Sequence, residues 1–170
     1  MLRPAVPTAR PSASSDATLA RLYARPGFLL RRAHQISAAV FEDECGALGL
    51  TPAQFGALTV LKAHPGLAQA GLARALGFDK VTVLRVLRGL EARGLVARGA
   101  KAADRRHVAV SLTADGLALL RQAQRPAEKA YRRLMAPLTA EQQAQLLDLL
   151  QRLTGELEDQ ARASFVPPAG

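Results

Sequence analysis

Residues 72 to 98 read LARALGFDKVTVLRVLRGLEARGLVAR, and this stretch decides the fold. A short apolar-periodic run turns at Gly77, resumes at Asp79 and closes at Gly94. Val83, Val86, Leu87 and Leu90 recur at the spacing of one side of a helix with about 3.6 residues per turn, away from Lys80, Thr82 and Arg85. Helices over residues 67–76 and 79–93 with a glycine turn between them predict a helix-turn-helix. In such a unit the second helix lies in the major groove, so its first turns need polar or basic side chains while its other side packs on the protein.

Downstream, residues 95–98 and 107–112 suit β-strands, and the polar segment 99–106 between them predicts a hairpin. On charge alone the second helix could be any amphipathic surface helix; a basic ribbon beside it favours a winged reader of double-stranded DNA. Arginine at the tip of such a ribbon is drawn to the negative potential of the minor groove. The candidate DNA-binding residues are Lys80, Thr82, Arg85 and Arg88 on the helix and Arg98, Lys101, Asp104, Arg105 and Arg106 on the wing. Asp104 is not a phosphate ligand; it either orders the loop by accepting from Arg105, Arg106 or backbone amides, or is a solvated turn residue.

Outward from this unit the chain is mainly helical. Residues 1–17 are rich in Pro, Ser and Ala and read as a flexible arm, and residues 161–170, with two prolines, as a frayed tail. A first helix is expected over 26–47, with Leu29, Ala33, Ile36 and Val40 in one stripe. Thr51-Pro52 caps the next, which ends at His64-Pro65-Gly66, with His64 as its end cap. Thr113 opens a long helix with a kink or break expected at Pro126, and Thr139 with Gln142 forms a capping box for a last helix carrying Leu146, Leu149, Leu150, Leu153 and Leu157. Residues 51–112 therefore form the DNA-binding domain, and residues 18–50 and 113–160 a helical region. The outer helices carry more apolar surface than a small winged unit can cover, so their leucines are either intramolecular core or an interface with a second copy.

The chain has 170 residues, 49% of them hydrophobic, and a formal charge of +9. Residues 79–107 alone hold eight Lys or Arg against three acids, a density that attracts a polyanion, either nucleic acid or an anionic membrane. No apolar run approaches a membrane span, no signal-peptide pattern opens the chain, and a single cysteine excludes a disulfide framework. A soluble, cytoplasmic protein is expected. The three histidines are scattered, with no metal-ligand spacing and no nucleophile, base and acid set, so no catalytic residue, metal or cofactor is expected.

The run from Leu72 to Arg98, followed by ADRRHVAVSLTADG (residues 103–116), resembles the MarR family of bacterial winged-helix regulators. The likeness rests on Leu-Glu-x-x-Gly-Leu-Val-x-Arg at 90–98, on Asp104-Arg105-Arg106, and on Leu112-Thr113 with Gly116. It implies an obligate homodimer with interlocked N- and C-terminal helices, two winged domains on a pseudo-palindromic operator, and no enzyme activity. Leu67-Ala68-Gln69-Ala70 and the apolar Val81 and Leu84 depart from residues that are often hydroxylated in the family.

RPGFLLRRAHQI (residues 25–36) is most similar to the branch controlling aromatic catabolism, including nicotinate-degradation repressors. Leu30, His34, Ser37 and Phe41 share one helix face near Arg31 and Arg32, a combination that suits a small aromatic acid: a cation pairs the carboxylate and apolar walls take the ring. These residues could instead be solvated or bridge the dimer. The implied function is a catabolic repressor released by a hydroxylated nicotinate or benzoate type of acid. The alternatives are an architectural protein that coats DNA and a thiol switch at Cys45, whose neighbours Glu42, Asp43 and Glu44 would raise rather than lower its pKa.

Overall fold

Apolar spacing and capping residues divide the chain into seven α-helices and three strands among the described residues. The computed structural model describes residues 13–101 and 104–168, with side chains described for 16–99 and 109–168. Packing separates it into two units, one through Ser37 and one from Ala38 onward.

The first unit holds α1 (Ala13–Tyr23) and the opening of α2 (Pro26–Cys45). Residues 13–17, expected in a flexible arm, are helical instead: Ala17, Leu19, Ala20 and Leu22 are strong helix formers, and Asp16 in the first turn complements the positive end of the helix. The remainder of the expected arm, residues 1–12, lies outside the described residues. Tyr23 and Phe28 pack their rings 5.1 Å apart across the turn, and the Arg31 guanidinium lies 5.0 Å from the Phe28 ring centre. Leu19, Leu22, Leu29, Leu30 and Ile36 stay exposed.

In the second unit, α2 gives way after Cys45 to a 3-10 turn (Gly46–Leu48). The Thr51–Gln54 capping box with Pro52 in the first turn starts α3 (Pro52–Ala63), and His64 ends it by donating its amide to the Val60 carbonyl. Leu67 and Ala68, expected to open the next helix, form a strand, β1 (Leu67–Ala68), paired with Val110 and Ala109. Two residues are too few for a strand period to show in sequence. After α4 (Gln69–Leu76), Gly77 takes φ +61° and its amide reaches the Ala73 and Arg74 carbonyls, a conformation that favours glycine. α5 (Lys80–Ala92) follows, then β2 (Val96–Lys101) and β3 (Asp104–Leu112), which close an antiparallel sheet in the order β1-β3-β2. The wing strands therefore extend well into the segment 99–106 that was expected to be loop.

One apolar core joins Leu58 and Leu61 of α3, Leu72 of α4, Val83, Leu87 and Leu90 of α5, Val110 of β3 and Leu120 of α6 (Ala114–Met135). Of the kink or break expected at Pro126, the break does not occur: α6 runs through it as one helix. Proline removes one amide donor, and the buried Ala123 and Ala130 on either side hold the helix by packing. At its start, Thr113 accepts from the Gly116 amide and donates to the Gly94 carbonyl, and its own amide bonds the Leu95 carbonyl. Gly116 sits so close that an added Cβ would overlap the Leu95 carbonyl oxygen.

The Thr139–Gln142 capping box opens α7 (Ala140–Glu156), as the sequence indicates. None of its residues is buried, and Leu146, Leu147, Leu149 and Leu153 are exposed, so these leucines are not core of their own chain. The tail, expected to fray, is tied at two points: the Phe165 amide donates to Glu158 Oε1 at 2.6 Å and the Val166 amide to the Arg74 carbonyl at 2.9 Å. Its prolines exclude a helix, but an extended segment can still donate.

Candidate nucleic-acid interface

Asp79 starts α5: its Oδ1 accepts from the Thr82 amide at 2.7 Å and its Oδ2 from the Thr82 hydroxyl at 3.0 Å. The Thr82 amide first, then its hydroxyl, hold the Asp79 carboxyl below its ordinary pKa, with the Val81 amide and the Arg85 charge adding to the effect. Val83, Val86, Leu87 and Leu90 are buried, while Val81, Arg85 and Arg88 are exposed. Lys80 is exposed and Thr82 half-buried. The grouping of Lys80, Thr82 and Arg85 is thereby refined, because Lys80 and Thr82 stand about 200° apart around the helix and flank the outward stripe.

Beside α5 the wing pairs Val96 with Leu112 and Ala100 with Val108 in regular register, then shifts so that Lys101 meets Asp104. Arg105 and Arg106 lie on β3 within this irregularity, which twists and bends a strand locally. The side chains of Lys101, Asp104, Arg105 and Arg106 lie outside the described residues. Arg98, another candidate, is engaged within the protein: its Nε stands 2.7 Å from Glu91 Oε1, and a terminal nitrogen donates to Gln69 Oε1 at 3.3 Å. It braces β2 against both helices of the helix-turn-helix.

Sequence reasoning missed the role of Arg93 at the end of α5. Its guanidinium donates to the Gly49 carbonyl at 2.5 Å and to the Leu48 carbonyl at 2.8 Å, joining positions 44 and 45 residues apart. Also missed were the pairs between the end of α2 and α6: Lys129 with Glu44 at 2.8 Å, and Arg133 with Asp43 at 3.1 Å and Glu44 at 3.4 Å. The hydrogen bond from Lys129 pulls the Glu44 carboxyl below its ordinary pKa against the effect of burial, and Arg133 adds to it. No local motif announces such contacts between distant positions.

The candidate effector residues all lie along α2. Leu30, Arg31, Arg32 and His34 are exposed, and Ser37 and Phe41 half-buried. Arg31 and Arg32 each donate to Gln35 Oε1 at 3.1 Å, and the Phe41 ring lies 5.6 Å from that of Phe55. Cys45 is fully buried; burial first, then the Glu44 charge, push its thiol pKa up. Among the described residues no cluster of His, Cys, Asp and Glu could hold a metal ion, and no helix is long and apolar enough to cross a membrane.

The sequence pattern of the MarR family matches residues 48–107. The transcriptional repressor Rv2887 of Mycobacterium tuberculosis is 38% identical over 140 residues, which cover 82% of this chain and 96% of that protein. BpsR of Bordetella bronchiseptica, solved to explain regulation of its DNA binding by 6-hydroxynicotinic acid, superposes with a TM-score of 0.73 at 32% identity over 78% of this chain and 94% of its own. The repressor CouR, solved on a 23-mer DNA duplex, gives a TM-score of 0.74 at 32% identity over 80% and 96% of the two chains. With a helix-turn-helix, a two-stranded wing and flanking helices in the same order, this chain belongs to the MarR family of DNA-binding winged-helix transcriptional repressors.

Proposed function

We propose that two copies of this chain bind a pseudo-palindromic double-stranded operator and leave it when a small aromatic acid binds, a hydroxylated nicotinate or benzoate being the expected type. The observation that carries the DNA reading is the division of α5 into a buried apolar side and an exposed stripe with two arginines, beside a long antiparallel wing. One such module covers limited DNA surface, whereas two related by a two-fold axis read half-sites about one helical turn apart and reach operator affinity. A second copy is the occupant that suits α7, whose Leu146, Leu147, Leu149 and Leu153 form an exposed apolar row.

His34, Arg31, Arg32, Ser37, Phe41 and Leu30 are proposed to hold the effector, with a cation on the carboxylate and His34 on a ring hydroxyl or nitrogen. BpsR and its 6-hydroxynicotinic acid support this ligand class. The acid need only favour a separation of the two recognition helices that does not match one turn of DNA. Footprinting tests the proposal: a protected palindrome, lost on adding 6-hydroxynicotinic or 4-hydroxybenzoic acid, is the expected result. Protection that spreads along any duplex would indicate an architectural protein instead, and a palindrome unaffected by a panel of aromatic acids would refute the effector half.

A further inference from the structure

We infer that Val81 is a specificity-determining residue, which reads the C5 methyl of a thymine in each operator half-site. This rests on α5 lying in the major groove, as proposed above. At about 100° per residue, the buried Val83, Val86, Leu87 and Leu90 centre on one side of α5, and the point opposite falls on Val81, Arg85 and Arg88. These three, spaced four and three apart, form the outermost line of the helix. Val81 occupies its first turn, the part of a recognition helix that enters the groove.

Two further observations single out Val81. It is 66% exposed, more than any other large hydrophobic side chain among the described residues, on a helix whose remaining valines are buried. Its neighbour Thr82, the obvious polar reader, has its hydroxyl proton committed to Asp79 Oδ2, so it is a poor donor to a base edge. The N-terminal tip of α5 thus presents an apolar surface between cations. In the major groove the one apolar feature of a base edge is the thymine methyl, and small apolar side chains recognise it by contact. Arg85, one turn further along, has the bidentate geometry for a guanine O6 and N7. The half-site is therefore expected to hold a thymine within a step or two of a guanine.

The test starts from operators selected by the full-length protein out of a pool of random duplexes. Each thymine of the selected half-site is replaced in turn by deoxyuridine, which removes only the methyl, and binding is measured by fluorescence anisotropy for the wild type and Val81→Ala. At one position the wild type should lose about fourfold in affinity per half-site, the value of one buried methyl. Val81→Ala should show a similar loss on the thymine operator and no further loss on the deoxyuridine operator. Because Val81 is exposed, the variant folds, and an unchanged melting temperature verifies this. Deoxyuridine and Val81→Ala effects that simply multiply at every position, or a variant that binds as well as the wild type, would overturn the inference while leaving operator binding intact. A selection that enriches no sequence would refute both it and the operator reading on which it rests.

Discussion

Gly116→Ala adds one methyl group where the structure has no room for it. The new Cβ would overlap the Leu95 carbonyl oxygen and stand 2.9 Å from its carbon, and the obstacle is backbone, which cannot rotate away. The Leu95 carbonyl already accepts from the Thr113 amide at 3.1 Å, and the Gly116 amide donates to the Thr113 hydroxyl at 3.0 Å, so either backbone can retreat only by stretching these bonds. Overpacking of this kind costs about 1 to 3 kcal/mol, and a weakened hydrogen bond about 1 more. Alanine returns about 1 kcal/mol of helix propensity, leaving a net loss of about 1 to 3 kcal/mol. For a chain of this length that corresponds to a fall of roughly 3 to 10 °C in melting temperature. Thermal unfolding followed by circular dichroism at fixed protein concentration measures it, with Gly27→Ala, whose Cβ meets nothing within 4 Å, as the control. A Gly116→Ala protein that melts with the wild type would refute the close approach of α6 to the Leu95 backbone just before β2.

Arg106→Ala should weaken operator binding by about 1 to 3 kcal/mol. Arg93→Ala should cost less DNA affinity and appear chiefly as a lower melting temperature, because that guanidinium is spent on the Leu48 and Gly49 carbonyls; equal effects on binding would contradict the wing assignment. His34→Ala should bind operator almost normally yet resist release by aromatic acid, and an unchanged response would move the effector site elsewhere. The Asp79 and Glu44 carboxyls are held below their ordinary values, so their stabilising contribution is complete above the usual carboxylate range and lost as the pH falls through the depressed values. Melting temperature should therefore drop below about pH 4. Asp79→Asn, which keeps a capping oxygen but cannot be protonated, should flatten that drop, and an unaltered profile would count against the cap.

The helix-turn-helix was legible because each part has a local signal: apolar residues at helical spacing, Gly77 at the turn, and Thr51, Asp79, Thr113 and Thr139 at helix starts. Residues whose structure depends on distant partners were not legible in the same way. Leu67 and Ala68 are a strand only because Val110 and Ala109 lie beside them. Pro126 suggested a kink or a break, and packing of the flanking alanines keeps the helix unbroken; α1 was obscured by the serine- and proline-rich sequence before it. At the interface, composition revealed which residues are basic, but which of them are free to meet DNA required the helix axis and the core: Arg98 and Arg93 are bonded within their own chain, and Val81 turned out.

The side chains that hold α5 are not those on its outer face. Asp79 fixes its beginning, Arg93 ties its end to the Leu48–Gly49 backbone, and the core valines and leucines seat its inner side. The Val81, Arg85 and Arg88 side chains make none of these hydrogen bonds, Val81 reaching Asp79 only through its backbone amide and Arg85 only through its charge. The outer stripe is thus free to drift over evolutionary time, and a lineage could acquire a new operator by changing these positions while the fold's stability stays as it is. A library randomised at Val81, Arg85 and Arg88 alone is, for the same reason, the natural starting point for retargeting this repressor to a chosen sequence.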